Sequence, residues 1–468
     1  MKKLLLIIPV CLLSVNSSYG QFIVNNVLTQ PTGVSNQGLV VYYQAQAGPY
    51  SIWNPDSTIT TSIGGLAPGN GIGSQAHFSD DGNFLSGTSY GALGAEVSIY
   101  NRTLNQWSVL GSLGFVVDST AGGGFGISGD GNTVVGLSWA DTAGNVAYAH
   151  AVAWNQAEGI IDLGSLHDSI HASTRANAAS YDGKVVVGWQ DFNGPWKSAV
   201  WRKNSAGGYF PNQYLLIDTT ASASDEFNQL GECSVVSGDG IWVGGYGDYA
   251  NNNQPWIWSR PTGVINLGSL PNTGQGFVSG INFDGSIVVG WFDGAMFGDP
   301  QTPFIWTSSG GLQNLNTYIH TVWGLSTGAI QVSAANCMSS NGLYIAGYGM
   351  DTTTFNFVTY RVSAINSAGI NETSQTSEIN VFPNPFTSST TITFSKESGG
   401  SQTGNHTIKI TDLAGKEIKT IPNVCGRQVV IEKGDMKAGI YFVQITDNST
   451  GSATQQKNIT YKKIIVSN

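Results

Sequence analysis

The sequence predicts an all-β chain, a seven-bladed β-propeller followed by a small Ig-like β-sandwich, and three observations support this. Asp-Gly hairpins recur along most of the chain, and an aromatic residue follows each of them at a similar distance. Charged residues make up only 11%, while there are 61 glycines and 13 tryptophans. That composition suits many short strands joined by tight turns, and it is the opposite of the charge-rich, aromatic-poor composition of disordered chains.

The hairpins read "GISGDGNTVVG" at 126–136, then "AASYDGKVVVG", "VVSGDGIWVGG" and "GINFDGSIVVG". Their turn glycines, with one earlier copy, are Gly82, Gly131, Gly183, Gly240 and Gly285. Asn341-Gly342 is a variant, and Gly38 belongs to a worn first copy. The seven glycines are spaced 44, 49, 52, 57, 45 and 57 residues apart. Asp-Gly pairs suit type I′ turns, in which both central residues take φ > 0. An aromatic ends an apolar strand 15 to 23 residues after each turn glycine: Trp53, Tyr100, Trp154, Trp201, Trp258, Trp306 and Tyr360. Runs such as "GIIDLGSL" and "GVINLGSL" add a last strand. Four short strands in a unit of roughly 40–50 residues make a propeller blade. One blade cannot cover both of its faces, so blades must stack, and a closed ring removes the open ends. Closure needs an outer strand for the last blade, and "QFIVNNV" at 21–27 is expected to supply it.

The two ends of the chain read differently. Lys2 and Lys3 precede an apolar run, and Ser18 and Gly20 stand at −3 and −1 of a cut before Gln21, so residues 1–20 read as a secretory signal peptide. No later apolar stretch is long enough to span a bilayer as a helix. Residues 21–362 form the propeller and 363–379 a small, polar linker. Residues 380–468 alternate apolar positions with turn signals, as a small β-sandwich does. The charge divides at the same place. Residues 21–365 carry 22 acidic and 8 basic residues, a net of −14, whereas residues 380–468 carry 6 acidic and 10 basic, a net of +4. An acidic first part repels phosphate backbones, so nucleic acid is not an expected partner. Cys233, Cys337 and Cys425 show no spacing of a disulfide framework; isolated buried thiols are the first reading and a single disulfide pair the alternative.

Two resemblances follow from these residues. The tail places Pro383, Asn384 and Pro385 at its opening, and Asp412, Leu413, Gly415 and Lys416 in its middle. Gly439, Ile440, Tyr441 and Phe442 come near the end, with Lys462 and Lys463 before the last strand. This order closely resembles the type A C-terminal sorting domain of the Bacteroidota type IX secretion system. The resemblance implies the type IX secretion machinery as a partner, and a product that is secreted or held on the outer cell surface. The repeats resemble the HAF extracellular repeat. His150-Ala151-Val152 keeps the family's histidine, while the other copies read "KSAVW", "QPWIW" and "TPFIW". That resemblance supports the propeller and carries no chemistry with it.

Few motifs point to a reaction. "GLSTG" at 324–328 matches a nucleophile-elbow pattern, but that motif needs a strand-to-helix turn in an α/β sheet. "GGGFG" at 122–126 precedes no helix that could help bind phosphate, and it reads as a loop. The repeated Asp81, Asp130, Asp182, Asp239 and Asp284 read as turn formers, because each blade offers too few oxygens for calcium. Repetition lapses most in "LGSLHDSIHASTRANA" at 163–178, which holds His167, Asp168, His171 and Arg175. This stretch joins an outer strand to the next inner strand, near the channel mouth. Two imidazoles and a carboxylate could hold a metal, and a histidine with Arg175 could grip a carboxylated sugar. A solvated polar loop is the plainer reading. His77 and Glu232 lie at comparable inner-strand positions. No catalytic set, bound metal or cofactor is expected. The chain therefore reads as a propeller that binds a glycan or protein through one face, with a polysaccharide lyase or glycoside hydrolase as the alternative.

Overall fold

The computed structural model describes residues 20–466 apart from 27–28, 44–48, 66–73, 143–145, 165–172, 192–195, 205–207, 210–229, 248–253, 297, 364–378, 383, 385, 395–404, 413–415, 426–427 and 448–458. The chain divides into two compact units, Met1–Asn366 and Ser367–Asn468. Most of the described residues lie in strands, with one short helix, Leu315–Thr321, capped by the Asn314 side chain.

Seven antiparallel sheets follow one another in the first unit. Each blade pairs its strands in chain order, as in the third, where Gly122–Ile127, Thr133–Thr142, Val146–Asn155 and Gly159–Gly164 form the sheet from inside to outside. In the second blade the innermost strand is reduced to a bridge between Phe78 and Leu85. The seventh blade takes its outer strand from the chain's start. Phe22–Asn25 pairs antiparallel with Phe357–Ser363, with Phe22 opposite Val362 and Asn25 opposite Thr359, as ring closure requires.

Burial shows that the ring is complete. Each pair of neighbouring blades shares an apolar cluster built from the facing sides of their strands. Val41, Tyr50 and Ile52 of the first blade meet Ala76, Phe78 and Leu85 of the second. At the far seam Val34, Val40, Tyr42 and Trp53 of the first blade meet Cys337 and Ala346 of the seventh, so no seam is left open to water. The five intervening seams are built the same way. The same seam buries Arg361, which is stacked 5.0 Å from the Tyr344 ring and paired with Asp56 at 2.9 Å. Gly38 permits this arrangement, since a Cβ there would lie 2.6 Å from the Arg361 guanidinium.

The aromatic marks lie on the third strand of each blade. Six of them oppose an apolar residue just past the turn, such as Trp201 opposite Val186 and Trp306 opposite Val288. The seventh is an exception. Tyr360 opposes Gly347 and stacks on Phe22 of the closing strand, with ring centroids 5.3 Å apart.

The repeated turn differs from the type I′ expectation. Only its glycine has positive φ, +66° at Gly82 and +76° at Gly131, and the aspartates are not in that region. The turn is Ser-x-Asp-Gly, closed by the glycine N–H donating to the serine carbonyl, as from Gly131 to Ser128 at 2.9 Å. The aspartate accepts from the serine hydroxyl and from the N–H two residues on: Ser128 Oγ to Asp130 at 2.6 Å and Asn132 N to Asp130 at 3.0 Å. The serine oxygen accepts in turn from Thr133 N at 2.9 Å. A side-chain scaffold thus fixes a longer loop built on an ordinary turn, and glycine is needed only where φ is positive. The run "GGGFG" is likewise inner strand rather than loop. Its glycines allow close packing, since a Cβ on Gly124 would lie 2.6 Å from the Gly87 carbonyl oxygen.

The turns also bond to one another. Asn36 N donates to Asp80 O, Asp80 N to Gly129 O, Asp130 N to Tyr181 O and Tyr181 N to Gly238 O. Asp239 N then donates to Phe283 O, and Phe283 N to Ser340 O. Asn341 closes the circuit through its backbone N–H and side-chain amide, which both donate to Asn36. Every blade is tied to the next.

In the second unit, two sheets, one of three strands and one of four, enclose a core that includes Ile392, Ile408, Ile410, Ile431, Val443 and Ile464.

Two outcomes follow. Deleting residues 21–26 removes the closing strand and the burial of Phe22 and Ile23, and should cost on the order of 3 kcal/mol, read as a lower urea midpoint. Hydrogen bonds from Ser286 Oγ and N, and from Asn282, hold the Asp284 carboxyl below the usual carboxylate range. Its stabilising contribution is therefore complete above about pH 4 and lost as the pH falls through its lower folded value. Urea unfolding across that acidic range should show stability falling, and Asp284→Asn should blunt the fall.

Candidate functional site

The seven inner strands line an axial cavity of about 140 Å³. Two residues before each turn serine or its equivalent stand Gly33, His77, Gly126, Ala178, Val235, Gly280 and Cys337, all in the cavity wall. One step earlier, small polar side chains reach to the next blade's carbonyl. Thr32 Oγ1 donates to Ala76 O at 2.7 Å, Asn177 Nδ2 to Cys233 O at 2.8 Å, Ser234 Oγ to Val278 O at 2.6 Å and Ser279 Oγ to Ala335 O at 2.5 Å. Burial lowers the His77 pKa to about 4, so its ring is neutral near pH 7. Cys233 and Cys337 are free thiols, and burial raises the pKa of both.

The residue between serine and aspartate varies from turn to turn, and these variable positions circle one mouth of the cavity. They are Asn36, Asp80, Gly129, Tyr181, Gly238, Phe283 and Ser340; in the Phe283 copy Asn282 replaces the serine. Six of them line the cavity, and Phe283 stands against Tyr181. The Tyr181 and Phe283 rings meet edge to face at 6.0 Å. Gly238 separates them in the chain order of the turns and leaves the room, since a Cβ there would lie 2.3 Å from the Phe283 ring. On the other side, Asp80 takes hydrogen bonds from Ser340 and Asn36. Burial raises its pKa, and the charges of Asp81 and Asp130 add to the effect. The mouth is thus aromatic on one side and polar, with one carboxylate, on the other. None of these residues was singled out as a site residue from the sequence. The available signal was the most variable position of a turn whose other three read Ser, Asp and Gly in most copies, with Asn282 for the serine and Gln37 and Asn341 for the aspartate.

Sequence reasoning placed its candidates on other parts of the blades. His167, Asp168 and His171 lie outside the described residues. Arg175 and Glu232 come together at the start of their inner strands, the end away from the turns. Arg175 Nη2 meets Glu232 Oε1 at 3.0 Å and Arg175 Nε donates to Asn177 Oδ1 at 2.7 Å. Asn177 Nδ2 donates to Glu232 Oε1 at 2.6 Å and Tyr246 Oη to Glu232 Oε2 at 2.7 Å. The guanidinium lies over Phe125 at 4.7 Å and beside Trp189 at 5.4 Å. Trp189 in turn stacks on the half-exposed Trp196 at 4.5 Å. Both Glu232 oxygens are engaged, so the pair ties the fourth blade to the fifth. Arg175 serves Glu232 and Asn177 here. His77 belongs to the second blade's wall. Trp323, beyond the short helix, packs edge to face on Tyr318. "GLSTG" follows the short helix rather than leading into one.

In the second unit Asn384 Oδ1 accepts from Ile465 N at 2.7 Å, pinning the last strand beside the unit's opening. Asp412 N donates to Lys416 O, and Lys416 N returns a bond to the Asp412 carboxylate at 2.9 Å. Buried Tyr441 donates to Lys437 O at 2.9 Å. Gly439 opens the strand Gly439–Asp447, in which Phe442 and Val443 pair with Lys463 and Lys462. Pro383, Pro385 and Gly415 lie outside the described residues. Residues 380–466 match the family described as the secretion system C-terminal sorting domain. The chain carries a sorting domain. That domain points to secretion through the type IX system, to the cell surface or the extracellular space. No described helix is long and apolar enough to cross a membrane.

No curated protein sequence matches the chain. Among solved structures it is similar to TolB from Acinetobacter baumannii, at 15% identity and a TM-score of 0.37, covering 61% of this chain and 62% of that one. The chain thus spans a little under two thirds of that TolB. It is also similar to an oligogalacturonate lyase from Vibrio parahaemolyticus, at 13% identity and a TM-score of 0.47, covering 75% of this chain and 98% of that one. Likenesses this distant assign neither an activity nor a substrate.

Glu232→Ala should leave Arg175 and Asn177 without their shared acceptor. It should cost on the order of 2–3 kcal/mol, read as a shift in the urea midpoint, and Glu232→Gln should recover part of that loss.

Proposed function

We propose that the chain is an exported binding module, with residues 1–20 as signal peptide, 21–362 as propeller, 363–379 as linker and 380–468 as the sorting domain. The propeller takes a glycan or protein ligand at the turn-side mouth, and the sorting domain takes it across the outer membrane by the type A route. One observation carries this reading: the most variable position of the repeated turn lines the cavity in six of its seven copies. Ser, Asp and Gly are occupied by the turn itself, and the residue between them is free to differ and to meet a ligand. Ligand sites of this kind combine an apolar platform with a few polar groups at a concave surface. Tyr181 and Phe283 supply the platform, and Asp80, Asn36 and Ser340 supply the polar side. The likeness of the repeats to the HAF extracellular repeat agrees with a role outside the cell.

The test is binding of the full chain to a glycan array and to extracellular proteins, compared with Tyr181→Ala/Phe283→Ala. A ligand held at this mouth should lose at least about tenfold in affinity in the double variant. Ligands that bind both forms equally would place the site elsewhere. A reducing-end assay on the bound polysaccharides separates binding from cleavage.

A further inference from the structure

The seventh copy of the turn, Ser339-Ser340-Asn341-Gly342, carries an asparagine where five others carry aspartate. Its side chain has two duties. The Oδ1 atom accepts from Ser339 Oγ at 2.7 Å and from Leu343 N at 3.0 Å, as the aspartates accept in their own turns. The Nδ2 atom donates across the seam to Asn36 O at 3.1 Å, which no carboxylate could do. Asparagine suits this copy because the circuit takes a side-chain donor here.

The same amide is chemically vulnerable. A glycine follows it, and Gly342 has no Cβ to shield its nitrogen from the Asn341 side-chain carbon. Both hydrogen bonds to Oδ1 draw electrons from that carbon, as donors aimed at a reacting carbonyl oxygen do. Asn341 is exposed, so water reaches it. In the five aspartate copies the group is a carboxylate, and an ionised carboxylate has no leaving group. Asn341 can release ammonia.

We infer that Asn341 is a deamidation site, and that its conversion undoes the bond that closes the ring. The Gly342 nitrogen bonds to Asn341 Cγ, the Cγ–Nδ2 bond breaks, and ammonia leaves with the proton from Gly342 N. Water then opens the cyclic imide at either carbonyl, giving aspartate or isoaspartate. No oxidant or reductant takes part. An aspartate at 341 keeps both bonds to Oδ1 and loses the donor to Asn36, leaving a carboxylate oxygen to face a carbonyl oxygen. An isoaspartate also lengthens the main chain within the turn.

The rest of that seam makes the loss matter. Arg361 is buried there, paired with Asp56 at 2.9 Å. Its Nε and Nη1 atoms make no hydrogen bond among the described residues. Buried donors of that kind gain by reaching water, so a loosened seam is drawn open.

Two other Asn-Gly pairs, Asn70-Gly71 and Asn193-Gly194, lie outside the described residues. The test is therefore ageing of the full chain carrying Asn70→Gln and Asn193→Gln, at mildly alkaline pH, where the attacking nitrogen loses its proton more readily. Peptide mapping should find Asn341 converted ahead of every other asparagine of residues 21–362, with aspartate and isoaspartate as products. Hydrogen exchange should then be at least about fivefold faster at Asn341 and in the closing strand Phe22–Asn25, with the turns of the third to fifth blades unchanged. Asn341→Asp, made directly, should reproduce that local rise without ageing. Asn101→Asp adds the same charge in the second blade, where the side chain accepts from Leu104 N at 3.0 Å, and should leave the seam unchanged. The inference is overturned if Asn341 keeps its amide in the folded chain under conditions that convert it in the urea-unfolded chain. It is equally overturned if seam exchange in Asn341→Asp matches that of the parent, or if Asn101→Asp speeds it as much.

Discussion

A closed circuit of hydrogen bonds between successive Ser-x-Asp-Gly turns is the constraint on which the propeller depends. Each bond adds only about 1 kcal/mol net, yet together they fix the angle between blades where the inner strands end. Apolar seams supply most of the driving force, and they are non-directional. A stack of sheets held by seams alone could slide. The turn circuit prevents this, because each turn must present its carbonyl to one neighbour and its N–H to the other. Asn341 and Asn36 complete it across the seam where the chain's two ends meet, and Phe22–Asn25 seals the same blade from outside.

The same turn accounts for where a ligand can be met. Its serine and aspartate spend their side chains on the loop, and its glycine takes a conformation that other residues resist. Only the second position is released from turn duty, and the ring geometry brings all seven such positions to one mouth. A repeat that changes little at three positions and freely at one builds a near-constant frame around a variable rim. Gly129 and Gly238 belong to that rim as much as Tyr181 or Asp80 do, since their bare backbone lets the Tyr181 and Phe283 rings and the Asp80 carboxyl pack directly against it.

Much of the fold could be read from residue spacing, and little of the site could. The turn glycines marked seven units, and "QFIVNNV" was left over in the place where a ring needs one more strand. The turn type was misread, because Asp-Gly as a pair suggests a two-residue loop, and only the preceding serine shows that the loop is longer. "GGGFG" looked like a loop because glycine usually marks one, whereas here it marks strands packed too closely for a Cβ. Arg175 stands out as part of a lapse in the repeat, and Glu232 for its place at an inner strand. Their residue types could not say that they would satisfy one another, because 57 positions separate them in the chain.

Local chemistry was enough for the strand-and-turn alternation, the number of turns, the acidic body and the sorting domain's motif order, since each depends on neighbours a few residues apart. The circuit between turns, the closing register, the pairing of Arg175 with Glu232 and the meeting of Asp80 with Tyr181 depend on closing the ring. Closure brings together residues roughly one repeat apart or more, and the distance and direction between them are set by blade packing rather than by the chain that links them.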